Sequence, residues 1–372
     1  MKSKHIYKSI ACGVLLALTA TSCDLDYNPV DSYSDVTEGV DKTDEKPIFN
    51  SVQDVETSMV TLHKKFRDQQ EHWYVDKLLI GDAHSDNAYA GTTGAEVVPY
   101  ETNSIEGSNS VLKRDWDRFL GDIAEANRII VGCEQLKALS DSERGKYQSQ
   151  AKIFRAMVMF DMVRLWGNFP VITTVGGDIT EDNVEEMYPT YFPPQNTAEE
   201  AYAQIEKDLT EAVENPNTPT NDASDKSILT KSVARAMLAK VYAEKPLRDY
   251  SKVIKYADEL AADGFDLVED FSDLWAYDTE KKDCRVRNTK EAILEAHFPP
   301  GSGNWCTWMF GRNLSNWDES FTWAKWITPS RDLIRLYEEQ GDTKRYNESV
   351  VWYECGWSNY YPADHYAFMY KC

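Results

Sequence analysis

From residue 51 onward, apolar residues recur at intervals of three and four, the rhythm of helices that bury one face. Ser51 and Asp54 form an N-terminal capping signature, followed on one face by Val55, Met59, Leu62 and Phe66. Trp116, Phe119, Ile123, Ala126, Ile130 and Cys133 make a second stripe, which assigns Cys133 to a core rather than to thiol chemistry. Ala151, Phe154, Val158, Met162 and Leu165 make a third. Its neighbours Met157, Met159, Phe160 and Val163 are apolar too, so this helix is predicted to be buried nearly all round. Beyond Pro193-Pro194, Thr197 and Glu200 read as a capping box for a helix with Ala198, Tyr202, Ile205, Leu209 and Ala212 inward. Residues 215–227 read as a loop. A helix over 231–245 carries Ala234, Leu238 and Tyr242 beside small Ala236, Ala239 and Ala243. Another over 249–263 carries Val253, Ala257 and Leu260 and stops at Gly264. Thr328-Pro329 is predicted to open a last clear helix, closed by Gly341. Strand signals are few and short: Val171–Thr174, Ile293–Phe298 and Val350–Tyr353.

Paired helices with small residues facing large ones suit a stack of hairpins. Leu238, Ala239 and Tyr242, followed by Val253, Ala257 and Leu260, resemble one tetratricopeptide unit whose second helix is displaced by about two residues. The predicted fold class is therefore all-α: a tetratricopeptide-like helical repeat scaffold with irregular loop-rich decorations and few short strands. Such a stack leaves a concave face for a partner.

Charge narrows the partners. The 372 residues carry 40 Lys+Arg against 62 Asp+Glu, a formal net charge of −22. That balance argues against a reader of the phosphate backbone, which needs a basic face. The N-terminus reads as an address. Lys2, Lys4 and Lys8 precede the apolar run Ile10–Ala20, a secretory signal over 1–22 that is too short for a mature membrane span. Leu18-Thr19-Ala20-Thr21-Ser22-Cys23 resembles the lipobox of bacterial lipoproteins, except that Ala20 stands where Leu is commoner. That resemblance implies lipid attachment at Cys23, and acyl chains together anchor a body that one chain alone would hold only marginally. Residues 23–50 then read as an acidic flexible tether, and 51–372 as the helical body. Within the body, the helices and repeats occupy about 51–265 and a loop-rich part about 266–372. Five further cysteines (Cys133, Cys284, Cys306, Cys355 and Cys372) contain no Cys-x-x-Cys pair, so a zinc site is not expected. Cys284 with Cys306 is one pairing the compartment permits, and the connectivity stays open.

The block Ala151–Thr173, reading AKIFRAMVMFDMVRLWGNFPVIT, resembles the most recognisable segment of the SusD/RagB outer-membrane lipoproteins. Further blocks agree in order: Trp116 to Ile130, Ile205–Leu209, Leu229–Tyr242, Glu291–Glu295 and Thr328–Tyr337 with Asp342 and Arg345. The resemblance implies a lipid-anchored, cell-surface protein of the outer membrane. It would catch polysaccharide or oligosaccharide and deliver it to a SusC-like TonB-dependent transporter. Asp24 and Asp26 fit the surface-export signal of such lipoproteins, although elsewhere Asp after the lipid Cys marks inner-membrane retention, so the leaflet stays open. The family also implies a longer chain: Tyr366–Cys372 does not read as a natural finish, and part of the C-terminal binding region is expected to be missing.

Sugar recognition needs flat apolar faces for the C–H side of the ring and fixed polar groups for its hydroxyls. Seven of the eleven tryptophans fall between Trp305 and Trp357. Trp305 and Trp308 sit in the Gly-rich run Gly301–Asn313 with Asn304, Arg312 and Asn313 as donors, and Trp317, Trp323 and Trp326 follow. The bland alternative is that these rings pack the loop onto the helices. The candidate ligand residues are Trp305, Trp308 and Trp317. To these the family resemblance adds Asp86, Asn87 and Tyr89 in the polar loop Gly81–Gly94, whose own alternative is a solvated turn. On the signature helix Asp161 and Arg164, at i and i+3, read as an ion pair. Enzyme signals are weak: the chain contains no His-Glu-x-x-His, Gly-x-Ser-x-Gly, P-loop or Gly-x-Gly-x-x-Gly. No catalytic residue, metal or cofactor is expected. A surface glycosidase and a tetratricopeptide adaptor binding only protein are the competing readings.

Overall fold

A computed structural model describes residues 47–90, 96–177, 179, 181, 183–275, 277–278, 280–281, 283–299, 327–353 and 366–369. The signal, Cys23, the tether as far as residue 46, and Trp305, Trp308 and Trp317 lie outside these.

Six long helices follow one another: α1 (Val52–Asp68), α2 (Ser110–Gln135), α3 (Asp141–Trp166), α4 (Ala198–Glu214), α5 (Lys231–Ala243) and α6 (Tyr250–Ala262). Each packs chiefly on its chain neighbour, α1 on α2, α2 on α3, and so on to α6. This is the arrangement of a helical repeat array. The capping boxes at Ser51/Asp54 and Thr197/Glu200 are formed, and a further one at Ser140/Glu143 starts α3 well before its apolar stripe. Gly264 and Gly341 take positive φ beyond their helices, at 94° and 66°.

The stripes bury as the spacing requires. Val55, Met59, Leu62 and Phe66 join Phe119, Ile123, Ala126 and Cys133 in one core, and α3 is inward on nearly every side. Burial pushes the Cys133 thiol up to about 12, so it is inert. The hairpin α5–α6 differs from expectation in detail. Ala257 is exposed, and the buried residue of α6 is Tyr256, whose ring stacks on Tyr242 at 6.1 Å. Phe49, expected in the tether, is buried against Gly132 of α2. A Cβ on Gly132 would stand 2.4 Å from the Phe49 ring. Gly132→Ala is therefore expected to lower the melting temperature, because overpacking costs about 1–3 kcal/mol and outweighs the ~1 kcal/mol gain in helix propensity.

Strands are short and antiparallel: β1 (Ala88–Ala90), β2 (Tyr277–Asp278), β3 (Asp283–Cys284), β4 (Ile327–Pro329), β5 (Val350–Tyr353) and β6 (Tyr366–Met369). They pair β1–β4, β2–β3 and β5–β6. Val350–Tyr353 is the strand expected, and its Trp352 donates to Tyr346 Oη at 2.9 Å. Val171–Thr174 and Ile293–Phe298 are not strands. Ile172 and Thr174 give their carbonyls to Asn127 Nδ2 instead, at 2.9 and 3.2 Å. Pro329 ends β4 rather than opening a helix. Ser330 caps α7 (Arg331–Gln340), which Asp342 and α8 (Thr343–Ser349) follow. Among the described residues no helix is long and apolar enough to cross a membrane.

Two polar networks and two ion pairs tie the stack together. Arg155 of α3 donates to both oxygens of Asp208 on α4, at 2.8 and 2.7 Å, and to Asn127 Oδ1 on α2 at 2.6 Å. Lys65 and His72 both reach Asp122, at 2.8 and 2.9 Å. Asp161 and Arg164 do not pair with each other. Asp161 meets Lys77 at 2.5 Å and Arg164 meets Glu244 at 3.1 Å, each on a different element.

Candidate functional site

The polar loop after residue 81 and the residues that follow the tryptophan-rich segment meet in space. Ala88 pairs with Pro329, Tyr89 with Thr328 and Ala90 with Ile327. Nothing local in either sequence announces this contact, since both strands have only three residues. Ser330 fastens it. Its N–H donates to Asn87 O at 2.9 Å, its hydroxyl donates to Asp86 O, and the same oxygen accepts from Leu333 N to cap α7. On the other side Glu101 Oε2 accepts from Ala90 N at 2.8 Å. Ser85 shapes the turn by donating to Asp82 O and accepting from Asn87 N.

The loop's backbone is thus committed, while the Asp86 and Asn87 side chains are exposed. Tyr89 is half-buried, and its hydroxyl accepts from Arg331 N at 3.2 Å. An exposed carboxylate, an exposed carboxamide and a half-buried phenol thus lie together on one turn. Trp305, Trp308 and Trp317 lie outside the described residues, in a stretch whose C-terminal neighbour, Ile327, is held in β4. Ser330 and Glu101 are the positioning residues that the motif reading missed. The Ser-x-x-Leu start of α7 was the available signal for Ser330.

This platform has its own apolar cluster, with Ala88, Ala90 and Ile327 packed beside Val75, Leu79, Tyr100 and Val111. Next to it lies a buried charged group. Arg114 donates to Asp76 Oδ2 at 2.5 Å. Asp115, only 1% exposed, faces Asp76, and burial together with that neighbouring carboxylate pushes it up to about 9. Among the described residues Asp76 Oδ1, both Asp115 oxygens and the Tyr100 hydroxyl have no hydrogen-bond partner, and Arg114 Nε stands 4.0 Å from Asp115 Oδ1. In its protonated form Asp115 can donate to a neighbouring carboxylate. Among the described residues no group of three or more His, Cys, Asp or Glu side chains is placed to hold a metal ion.

A family model, SusD-like_3, described as "Starch-binding associating with outer membrane", matches residues 31–243. The chain belongs to the SusD-like family. A SusD-like protein of Bacteroides ovatus is 25% identical over 318 residues, 82% of this chain and 51% of the relative. The SusD-like chain thus spans about half of that relative's length. Among solved structures, a laminarin-binding SusD-like protein has a TM-score of 0.61 at 18% identity, covering 86% of this chain and 72% of its own. Surface glycan-binding protein A from Bacteroides fluxus has 0.64 at 19%, covering 86% and 68%. Surface glycan-binding protein A from Bacteroides thetaiotaomicron, in complex with laminarihexaose, has 0.60 at 16%, covering 80% and 63%. These likenesses establish the SusD-like helical fold.

Proposed function

We propose that this SusD-like chain is a lipid-anchored, cell-surface glycan-binding protein that performs no chemistry on its ligand. It captures polysaccharide or oligosaccharide and passes it to a SusC-like TonB-dependent transporter in the outer membrane. Cys23 carries the lipid. Asp86, Asn87 and Tyr89 supply the polar contacts to sugar hydroxyls, and Trp305, Trp308 and Trp317 supply the ring faces. The observation that carries the reading is the β1–β4 pairing, which ties the polar loop to the end of the tryptophan-rich segment. The family's starch-binding description and the laminarin-binding neighbour support it.

Native gels cast with a panel of polysaccharides test the proposal. The chain is expected to be retarded on at least one glycan, with no release of reducing ends. Trp305→Ala and Trp308→Ala are each expected to abolish retardation while the circular dichroism spectrum stays unchanged. Full affinity in both variants would remove the tryptophans from the site. Cleavage of the glycan would replace the binder with a glycosidase, and neither retardation nor cleavage would leave a protein-only adaptor.

A further inference from the structure

A cavity of about 620 Å³ opens on the helical stack, lined by residues distinct from those of the β1–β4 platform. This size accommodates a small oligosaccharide. Its apolar floor is Met59 and Phe66 of α1 with Pro219 and Ile228 of the loop before α5. Tyr147, from the first turns of α3, presents a half-buried ring at one wall. His63 and Gln150 stand within it, joined Nε2 to Oε1 at 3.2 Å, and Gln150 is 4% exposed. The cavity shares Phe66, Glu295 and Ala296 with a smaller recess of about 160 Å³, where Lys77 lies over the Trp73 ring.

The charge of the lining runs against that of the chain. In a protein with 62 acids and 40 bases, the wall carries Lys64, Arg67 and Lys146 but only one acid, Glu295. Glu295 Oε2 is already engaged by His297 Nε2 at 3.1 Å and by Asn288 N at 3.1 Å. The acids at the margin are engaged too. Asp225 accepts from Ser227 N and Oγ, and Asp68 takes Arg67 Nε. Lys64 and Lys146 are exposed and form no ion pair among the described residues. Lys64 and Lys146, neither of them ion-paired among the described residues, border an apolar floor and suit a ligand with a flat C–H face and a negative group.

We propose that this cavity binds an acidic saccharide, a short oligosaccharide bearing carboxylate or sulfate. The rings lie on Met59, Phe66 and Ile228, and Lys64 and Lys146 meet the anion. His63 and Gln150 bond hydroxyls between them. The demand for negative charge comes from the lining itself, whereas the choice of a saccharide rests on the glycan-binding reading above.

Titration calorimetry on the full chain tests this, with trigalacturonate, a chondroitin sulfate tetrasaccharide and neutral maltotriose as probes. At least one acidic probe is expected to bind, and to weaken about threefold or more between 50 and 200 mM salt. The Lys64→Glu/Lys146→Glu double variant is expected to lose about tenfold or more in affinity for it, with an unchanged melting temperature because both side chains are exposed. Lys64→Gln, which removes a charge without adding one, is expected to lose a smaller part. Trp305→Ala/Trp308→Ala is expected to leave acidic binding intact, so failure at the platform and failure here read out separately. Carboxylate and sulfate preference separate the two anion sources. No binding of either acidic probe, full affinity in both lysine variants, or loss of acidic binding on the tryptophan substitutions would overturn the proposal.

Discussion

Arg155→Met is expected to cost about 3–5 kcal/mol of folding stability, the loss typical of removing one partner from a buried pair. Arg155 is 3% exposed, and its guanidinium joins Asp208 of α4 to Asn127 of α2 across α3. Methionine keeps much of the apolar stem but leaves the Asp208 carboxylate, 1% exposed, with Gln204 Nε2 as its remaining donor. Burial already raises the Asp208 pKa and Arg155 opposes it, so without the guanidinium the carboxyl will take up a proton more readily. The loss should therefore be smaller at pH 5 than at pH 8. Urea unfolding at both pH values checks this. A midpoint within experimental scatter of wild type at pH 8 would mean that the network contributes nothing net. Asn127 also holds Ile172 O and Thr174 O, so the segment after α3 should loosen with it and gain hydrogen-exchange rate.

The second large effect is a dependence on pH. Asp115 keeps its proton in the folded chain up to about 9, whereas an unfolded chain releases it near the ordinary carboxyl value of 3.8. Between those values the folded state binds the additional proton, so stability falls as pH rises and levels off above the upper one. The slope from one such group approaches about 1.4 kcal/mol per pH unit, reduced by the groups coupled to it. Asp115→Asn keeps the shape and the donor to Asp76 while removing the titration. The variant is expected to match wild type near pH 4, to exceed it at pH 8, and to show a flatter profile between. A wild-type profile that rises from pH 5 to 8, or an Asn variant with an unchanged slope, would show that Asp115 is ionised in the fold.

What could be read from the chain followed from how locally each feature is encoded. The stripe Val55, Met59, Leu62 and Phe66 is visible because four contacts with one core repeat at one helical period. Ser51, Thr197, Gly264 and Gly341 were legible because a cap is a bond between residues three or four apart. The start of α3 at Ser140 was equally local and was passed over, because the helix was sought by its apolar residues. Val171–Thr174 has strand composition but is spoken for by Asn127, whose reach across the stack leaves no trace in sequence. Asp161 and Arg164 show the same limit. Spacing made them partners, yet Lys77 and Glu244 lie closer once the helices pack. Asp86, Asn87 and Tyr89 stand out in the sequence as candidates, by residue type on a polar turn. The strand that positions them, 244 residues away by the Ser330–Asp86 bond, does not.

That separation has a consequence for how the molecule comes apart. Three residue pairs, one serine and a small apolar cluster join two stretches of chain that have α2 to α6 between them. Closing so long a loop is only slightly more costly entropically than closing a short one, but the clasp has few bonds to set against that cost. The β1–β4 clasp is expected to open before the helical stack. Under mild denaturant, grip on sugar should vanish while the helices still stand.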